Sequence, residues 1–103
     1  MWNIEYIKQA RDDLLALDNS QRIQVVKAIK KVAENPISIF DGGYGKPLGN
    51  KNRAKLTGYY KIKLLRLGIR VIYTLVKEKT NMKIVVISAR SDNYCYNEAD
   101  NRK

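Results

Sequence analysis

The chain has 103 residues, enough for one hydrophobic core and too few for two, and its 45% hydrophobic and 29% charged residues describe a folded globular domain rather than a disordered or collagenous one. No apolar run reaches the roughly 18 residues of a membrane span, and the opening Met1-Trp2-Asn3-Ile4-Glu5 lacks the basic and apolar regions of a secretory signal. With one cysteine, Cys95, and a net charge of +10, the expectation is a cytoplasmic protein with no internal disulfide and a polyanionic partner.

In chain order, Trp2, Ile4 and Tyr6 alternate with Asn3 and Glu5, which predicts a first strand over Trp2 to Ile7. Ile7, Ala10, Leu14 and Leu17 then recur at helical spacing. Asp18-Asn19-Ser20 breaks that helix and caps a second. Asp18 and Gln21 have the spacing of a capping box, with Asn19 and Ser20 as competing caps. Val25, Ile29 and Val32 form the apolar stripe of the second helix, which stops before Pro36 because the residue preceding a proline avoids helical geometry. The two helices form a hairpin whose stripes need a sheet to cover.

Residues 37–58 hold five of the six glycines and read as a long loop, functional or mobile. Three strands follow, Tyr59 to Leu65, Ile69 to Val76 and Met82 to Ala89. Leu67-Gly68 is read as a tight turn between the first two, and residues 77–81 turn the second into the third. The last two strands are apolar on both faces and are expected to be central. The tail, Asn97 to Lys103, has too few apolar residues for a well-docked helix and reads as short helix or coil. The expected fold class is α+β: a helical hairpin on one face of a mostly antiparallel four-stranded sheet, in the order β-α-α-β-β-β.

The charge is one-sided. Residues 1–41 carry six basic and six acidic side chains, whereas residues 42–103 carry fourteen and four. Between 46 and 70 stand Lys46, Lys51, Arg53, Lys55, Lys61, Lys63, Arg66 and Arg70, with no Asp or Glu. Such a block predicts a polyanionic partner, whether nucleic acid, an acidic protein segment or an anionic membrane, and favours nucleic acid over a merely basic surface, without choosing RNA or DNA. The absence of histidine removes the commonest general base and histidine-containing metal sites. The glycines of Asp41-Gly42-Gly43-Tyr44-Gly45-Lys46 lack the strand-loop-helix setting of a phosphate loop.

What remains is Lys, Arg and Tyr. Alternation sends Lys61 and Lys63 to one face and Tyr60, Ile62 and Leu64 to the other. A two-residue turn at Leu67-Gly68 puts Lys63 opposite Ile72 and Arg70 on the lysine face. A connection of odd length at 77–81 sets Arg90 beside Arg70. No carboxylate lies near these cations in sequence to neutralise them, and a charge at Arg70 in a central strand is costly unless an anion or a polar group meets it. A cationic cluster of this kind suits RNA phosphodiester chemistry. A lysine crowded by like charges can act as a base toward the 2′-hydroxyl, and arginines can stabilise the added charge and protonate the leaving oxygen. Tyr94 or Tyr96 can stack on a base. None of this chemistry calls for a metal.

Leu56-Thr57-Gly58-Tyr59-Tyr60-Lys61-Ile62-Lys63-Leu64, Ile69-Arg70-Val71-Ile72-Tyr73 and Ile87-Ser88-Ala89-Arg90, with the element order, resemble the RelE/ParE toxin superfamily over nearly the whole chain, and its RelE-like mRNA interferase branch in particular. The resemblance implies one toxin domain over 1–103, ribosome-dependent cleavage of messenger RNA, no cofactor or metal, and two partners: the ribosome with its messenger, and a small acidic antitoxin. That branch uses a Lys-x-Lys pair, an Arg in the next strand, an Arg ending the last strand and a Tyr six residues on. These fall on Lys61, Lys63, Arg70, Arg90 and Tyr96. The resemblance makes Lys63 the base and Arg90 the acid; Lys61 and Arg70 stabilise charge and Tyr96 orients the nucleotide. Arg53 and Lys55 are expected on the RNA backbone, and Tyr94 rivals Tyr96. The alternatives are a ParE-like, non-catalytic inhibitor of DNA gyrase, which is not expected to keep the whole set, and an inactive RNA- or partner-binding module.

Overall fold

The computed structural model of the chain describes residues 1–51 and 54–103. In order these form β1 (Asn3–Tyr6), α1 (Lys8–Leu15), α2 (Asn19–Ala33), a 3-10 turn (Ile39–Asp41), β2 (Lys46–Lys51), β3 (Ala54–Leu64), β4 (Ile69–Val76), β5 (Asn81–Ser88) and α3 (Asp92–Asn101), with a second 3-10 turn at Lys77–Lys79. The strands make one sheet in the order β1-β5-β4-β3-β2, antiparallel except for the β1–β5 pair.

Local chemistry explains the hairpin. Of the three candidate caps, Asp18 is used: its carboxylate accepts from Gln21 N at 2.8 Å, and the Gln21 side chain accepts from Asp18 N at 3.3 Å. Arg22 then closes the open end of α1 by donating to the carbonyls of Leu14, Leu15 and Leu17. Val25, Ile29 and Ala33 of α2 and Ala10 of α1 are buried against Tyr60, Ile69, Val71, Tyr73, Met82, Ile84 and Ile87. This is one face of the sheet.

The α+β class and the helical hairpin are as the pattern implies, but the sheet has five strands rather than four. The extra strand, β2, and the first half of β3 occupy much of the span read as a loop. Gly and Pro residues concealed them, because Gly49 adopts φ +85° and Gly58 φ +87°, conformations that interrupt alternation without ending the pairing. Gly45 has a different role. A Cβ there would lie 2.5 Å from Tyr73 Oη and 2.6 Å from the Pro36 carbonyl, the two groups that share a buried 2.9 Å hydrogen bond. Gly45→Ala is therefore expected to destabilise the fold by about 1–3 kcal/mol, read as a lower midpoint of urea unfolding.

The larger correction concerns the C-terminal segment. It is a docked helix that begins at Asp92, five residues ahead of the expected Asn97. Cys95, Tyr96 and Ala99 are buried on the second face of the sheet with Leu48, Ala54, Leu56, Ile72, Val85 and Val86. An ionic clamp completes the docking. Arg102 Nη1 donates to Asp13 Oδ2 at 2.7 Å and to the Val85 carbonyl at 2.8 Å, and Arg102 Nε donates to Glu98 Oε2 at 2.9 Å. Asp13 in turn accepts from Ile87 N at 3.0 Å. Burial alone would lower the Arg102 pKa, but the hydrogen bonds and charges of Asp13 and Glu98 outweigh it and raise it.

Candidate nucleic-acid interface

Lys61, Lys63 and Arg70 share the sheet face that α3 partly covers, since Tyr60, Ile62 and Leu64 pack with the hairpin core on the other side. The register differs by two residues from the one expected. The β3–β4 connection is the four-residue turn 65–68, so Lys63 lies opposite Arg70 and Lys61 opposite Ile72. A slip of two leaves the face unchanged.

The connection to β5 also differs. Val76 pairs with Asn81, an even spacing that alone would turn the wrong face toward Arg70. An irregularity at Ile72/Tyr73 skips Val85, and Ser88 rather than Arg90 becomes the partner of Arg70. Val85 and Val86 both reach the α3 side in consequence. Arg90 lies just beyond the strand. Its carbonyl accepts from Arg70 Nη1 at 2.9 Å, while its guanidinium sits 4.3 Å from the centre of the Tyr94 ring.

Tyr96 does meet the lysine face. Lys61 Nζ donates to Tyr96 Oη at 3.0 Å, and the same ammonium lies 5.5 Å from the ring centre. Tyr96 thus faces Lys61, and Tyr94 supports Arg90. Arg70 is held by three partners: the Gly68 carbonyl at 3.0 Å, the Arg90 carbonyl, and Asp92 Oδ1 through Nε. Lys55 is exposed between Ala54 and Leu56, both buried under α3, so alternation turns it away from the cluster. Arg53 lies outside the described residues.

Asp92 overturns the expectation that no carboxylate neutralises these cations. It pairs with Arg70, and its Oδ1 lies 3.9 Å from Lys61 Nζ. Slight burial works against its ionisation, but the Arg70 hydrogen bond and the charges of Lys61, Arg70 and Lys63 prevail and hold the carboxyl below its ordinary range. A sequence signal for it exists. Ser91 is the N-cap of α3, accepting from Tyr94 N at 3.2 Å, and an acidic residue directly after such a cap is a helix-start signature. Among the described residues no three His, Cys, Asp or Glu side chains gather where they could hold a metal ion. No helix there is long and apolar enough to cross a membrane.

An α+β sheet with a helical hairpin on one face, and a Lys, Arg and Tyr cluster beside a short C-terminal helix on the other, defines a RelE-like architecture. No family model matches the chain. The chain is 27% identical over 104 residues to a putative RelE-like toxin protein of Escherichia coli, covering 98% of this chain and 96% of that one. It superposes with a TM-score of 0.74 on a doubly substituted E. coli toxin RelE in the free state, 25% identical, covering 98% of this chain and 96% of that one. It also superposes with a TM-score of 0.67 on the toxin–antitoxin complex RelBE2 from Mycobacterium tuberculosis, 25% identical, covering 88% and 93%. In sequence and in fold the chain is thus similar to RelE-like toxins over nearly its whole length.

Proposed function

We propose that this chain is the toxin of a type II toxin–antitoxin system, a cytoplasmic endoribonuclease that cuts messenger RNA on the ribosome and so halts translation. The observation that carries the reading is the convergence of Lys61, Lys63, Arg70 and Tyr96 on one sheet face. Lys63 takes the proton of a 2′-hydroxyl, and the oxygen attacks the adjacent phosphorus. Lys61 and Arg70 meet the charge that builds on the non-bridging oxygens. Arg90 gives a proton to the departing 5′-oxygen, leaving a 2′,3′-cyclic phosphate and a 5′-hydroxyl. Tyr96, tied to Lys61, orients the nucleotide, and Tyr94 presents an aromatic face beside Arg90. Lys55, turned away from this cluster, is assigned to the RNA backbone, as is Arg53. No step calls on a metal or cofactor.

Solved toxin–antitoxin complexes of the same fold support an antitoxin partner, and the basic half of this chain suits a small acidic one. The test adds purified protein to a translating extract and maps messenger breaks by primer extension. Breaks are expected within ribosome-covered codons, and Lys63→Ala or Arg90→Ala is expected to lower their rate at least ~100-fold. Free RNA should stay largely intact, because an unpositioned phosphate forgoes the ribosome's orientation. An intact messenger together with gyrase-dependent DNA breaks would instead assign the chain to the ParE-like alternative.

A further inference from the structure

Asp92 stands where a substrate anion is needed. Its carboxylate accepts from Arg70 Nε and lies 3.9 Å from Lys61 Nζ, two of the groups assigned to the phosphate. These are the interactions that a phosphate oxygen would make with the same donors. Neither cation depends on Asp92 for its placement. Arg70 is also fixed by the carbonyls of Gly68 and Arg90, and Lys61 by Tyr96 Oη. Nor does α3 depend on it, since Ser91 caps the helix and Cys95, Tyr96 and Ala99 dock it. The Asp92 side chain is 38% exposed, so it can turn to solvent while the helix stays in place.

We propose that Asp92 acts as an internal stand-in for an RNA phosphate, occupying Arg70 and Lys61 in the free protein, and that single-stranded RNA binds by displacing it. The proposal rests on the reading of this face as the RNA site. Its consequence is a built-in weakening of non-specific RNA binding. A lone phosphate must first break the Asp92 pairs, whereas an RNA held elsewhere as well can supply several contacts at once. Asp92 is in this sense a positioning residue for RNA, acting through Arg70 and Lys61.

The test measures binding of a labelled single-stranded RNA with 2′-O-methyl groups, which cannot be cleaved by 2′-oxygen attack, across a salt series. Asp92→Asn keeps the shape and removes the charge; Asp92→Ser, also suited to a helix start, serves if the asparagine variant fails to fold. Either variant is expected to bind about five- to tenfold tighter at low salt. The gain should shrink as salt rises, because screening weakens the Asp92 pairs of the wild type. Asp92→Glu, which keeps the charge, should bind as the wild type does, an outcome that a merely structural role of the side chain would not give. Adding Arg70→Ala should abolish the gain. If Lys61→Ala and Arg70→Ala leave wild-type binding unchanged, RNA does not use this face and the functional reading fails. If those two weaken binding but removing the Asp92 charge does not strengthen it, the displacement alone is overturned.

Discussion

Arg70→Ala is expected to slow cleavage of ribosome-bound messenger RNA by about 100- to 1,000-fold, the range seen when one preorganised donor to a developing oxyanion is removed. The physical basis is the hold on the side chain. Two main-chain carbonyls, of Gly68 and Arg90, take the Nη1 donor, and Nε is directed at Asp92. A donor fixed before the substrate arrives needs no reorganisation when the phosphate gains charge. Arg70→Lys keeps the charge but loses the planar group that holds both carbonyls through Nη1 while presenting Nε, so it should recover only a small part of the rate. Cleavage rates are compared by primer extension, below the melting temperature of each variant. A loss smaller than tenfold for the alanine variant would remove Arg70 from the chemistry.

Arg102→Ala is expected to carry the largest stability penalty of any charged position described. The Arg102 side chain is 12% exposed and Asp13 22%. Removing the arginine leaves a largely buried carboxylate with one main-chain donor, Ile87 N, and frees the Val85 carbonyl. Breaking one side of such a pair costs about 3 kcal/mol or more, which in a domain of this size lowers the melting temperature by roughly 10–20 °C. Circular dichroism melts provide the measurement. Asp13→Asn combined with Arg102→Met removes both charges while retaining an acceptor for Ile87 N, and should recover part of the loss. A shift below about 3 °C for Arg102→Ala would show that α3 is held by its apolar face alone. The position matters for the proposed site because α3 carries Asp92, Tyr94 and Tyr96, and its far end is what Arg102 pins.

The glycines that punctuate 37–58 imply a loop, yet Gly49 and Gly58 adopt positive φ within paired strands, and the β2–β3 register shifts beside Gly49. From Asn97 onward the sequence offers only Ala99 as an apolar anchor. The helix begins at Asp92, and its anchors Cys95 and Ala99 are four residues apart, so one more turn would have shown the stripe. The connections flanking β4 span 65–68 and 77–80, both differing in length from the two- and five-residue turns that the pattern implies. The first slip was of two residues and harmless; the second was offset by the irregularity that skips Val85.

What the sequence determined by itself was local: the capping box at Asp18, the stop before Pro36, and the shared face of Lys61, Lys63 and Arg70. Strand alternation has a period of two, so it survives any even error in register. The one-sided charge likewise needs no coordinates. Tertiary structure alone decided which partners those cations meet. Tyr96 reaches Lys61 across 35 residues, Asp92 reaches Arg70 across 22, and Arg102 reaches Asp13 across 89. Such contacts exist only after α3 packs on the sheet, because loop closure over those distances must be offset by the whole buried face and not by any short run of residues.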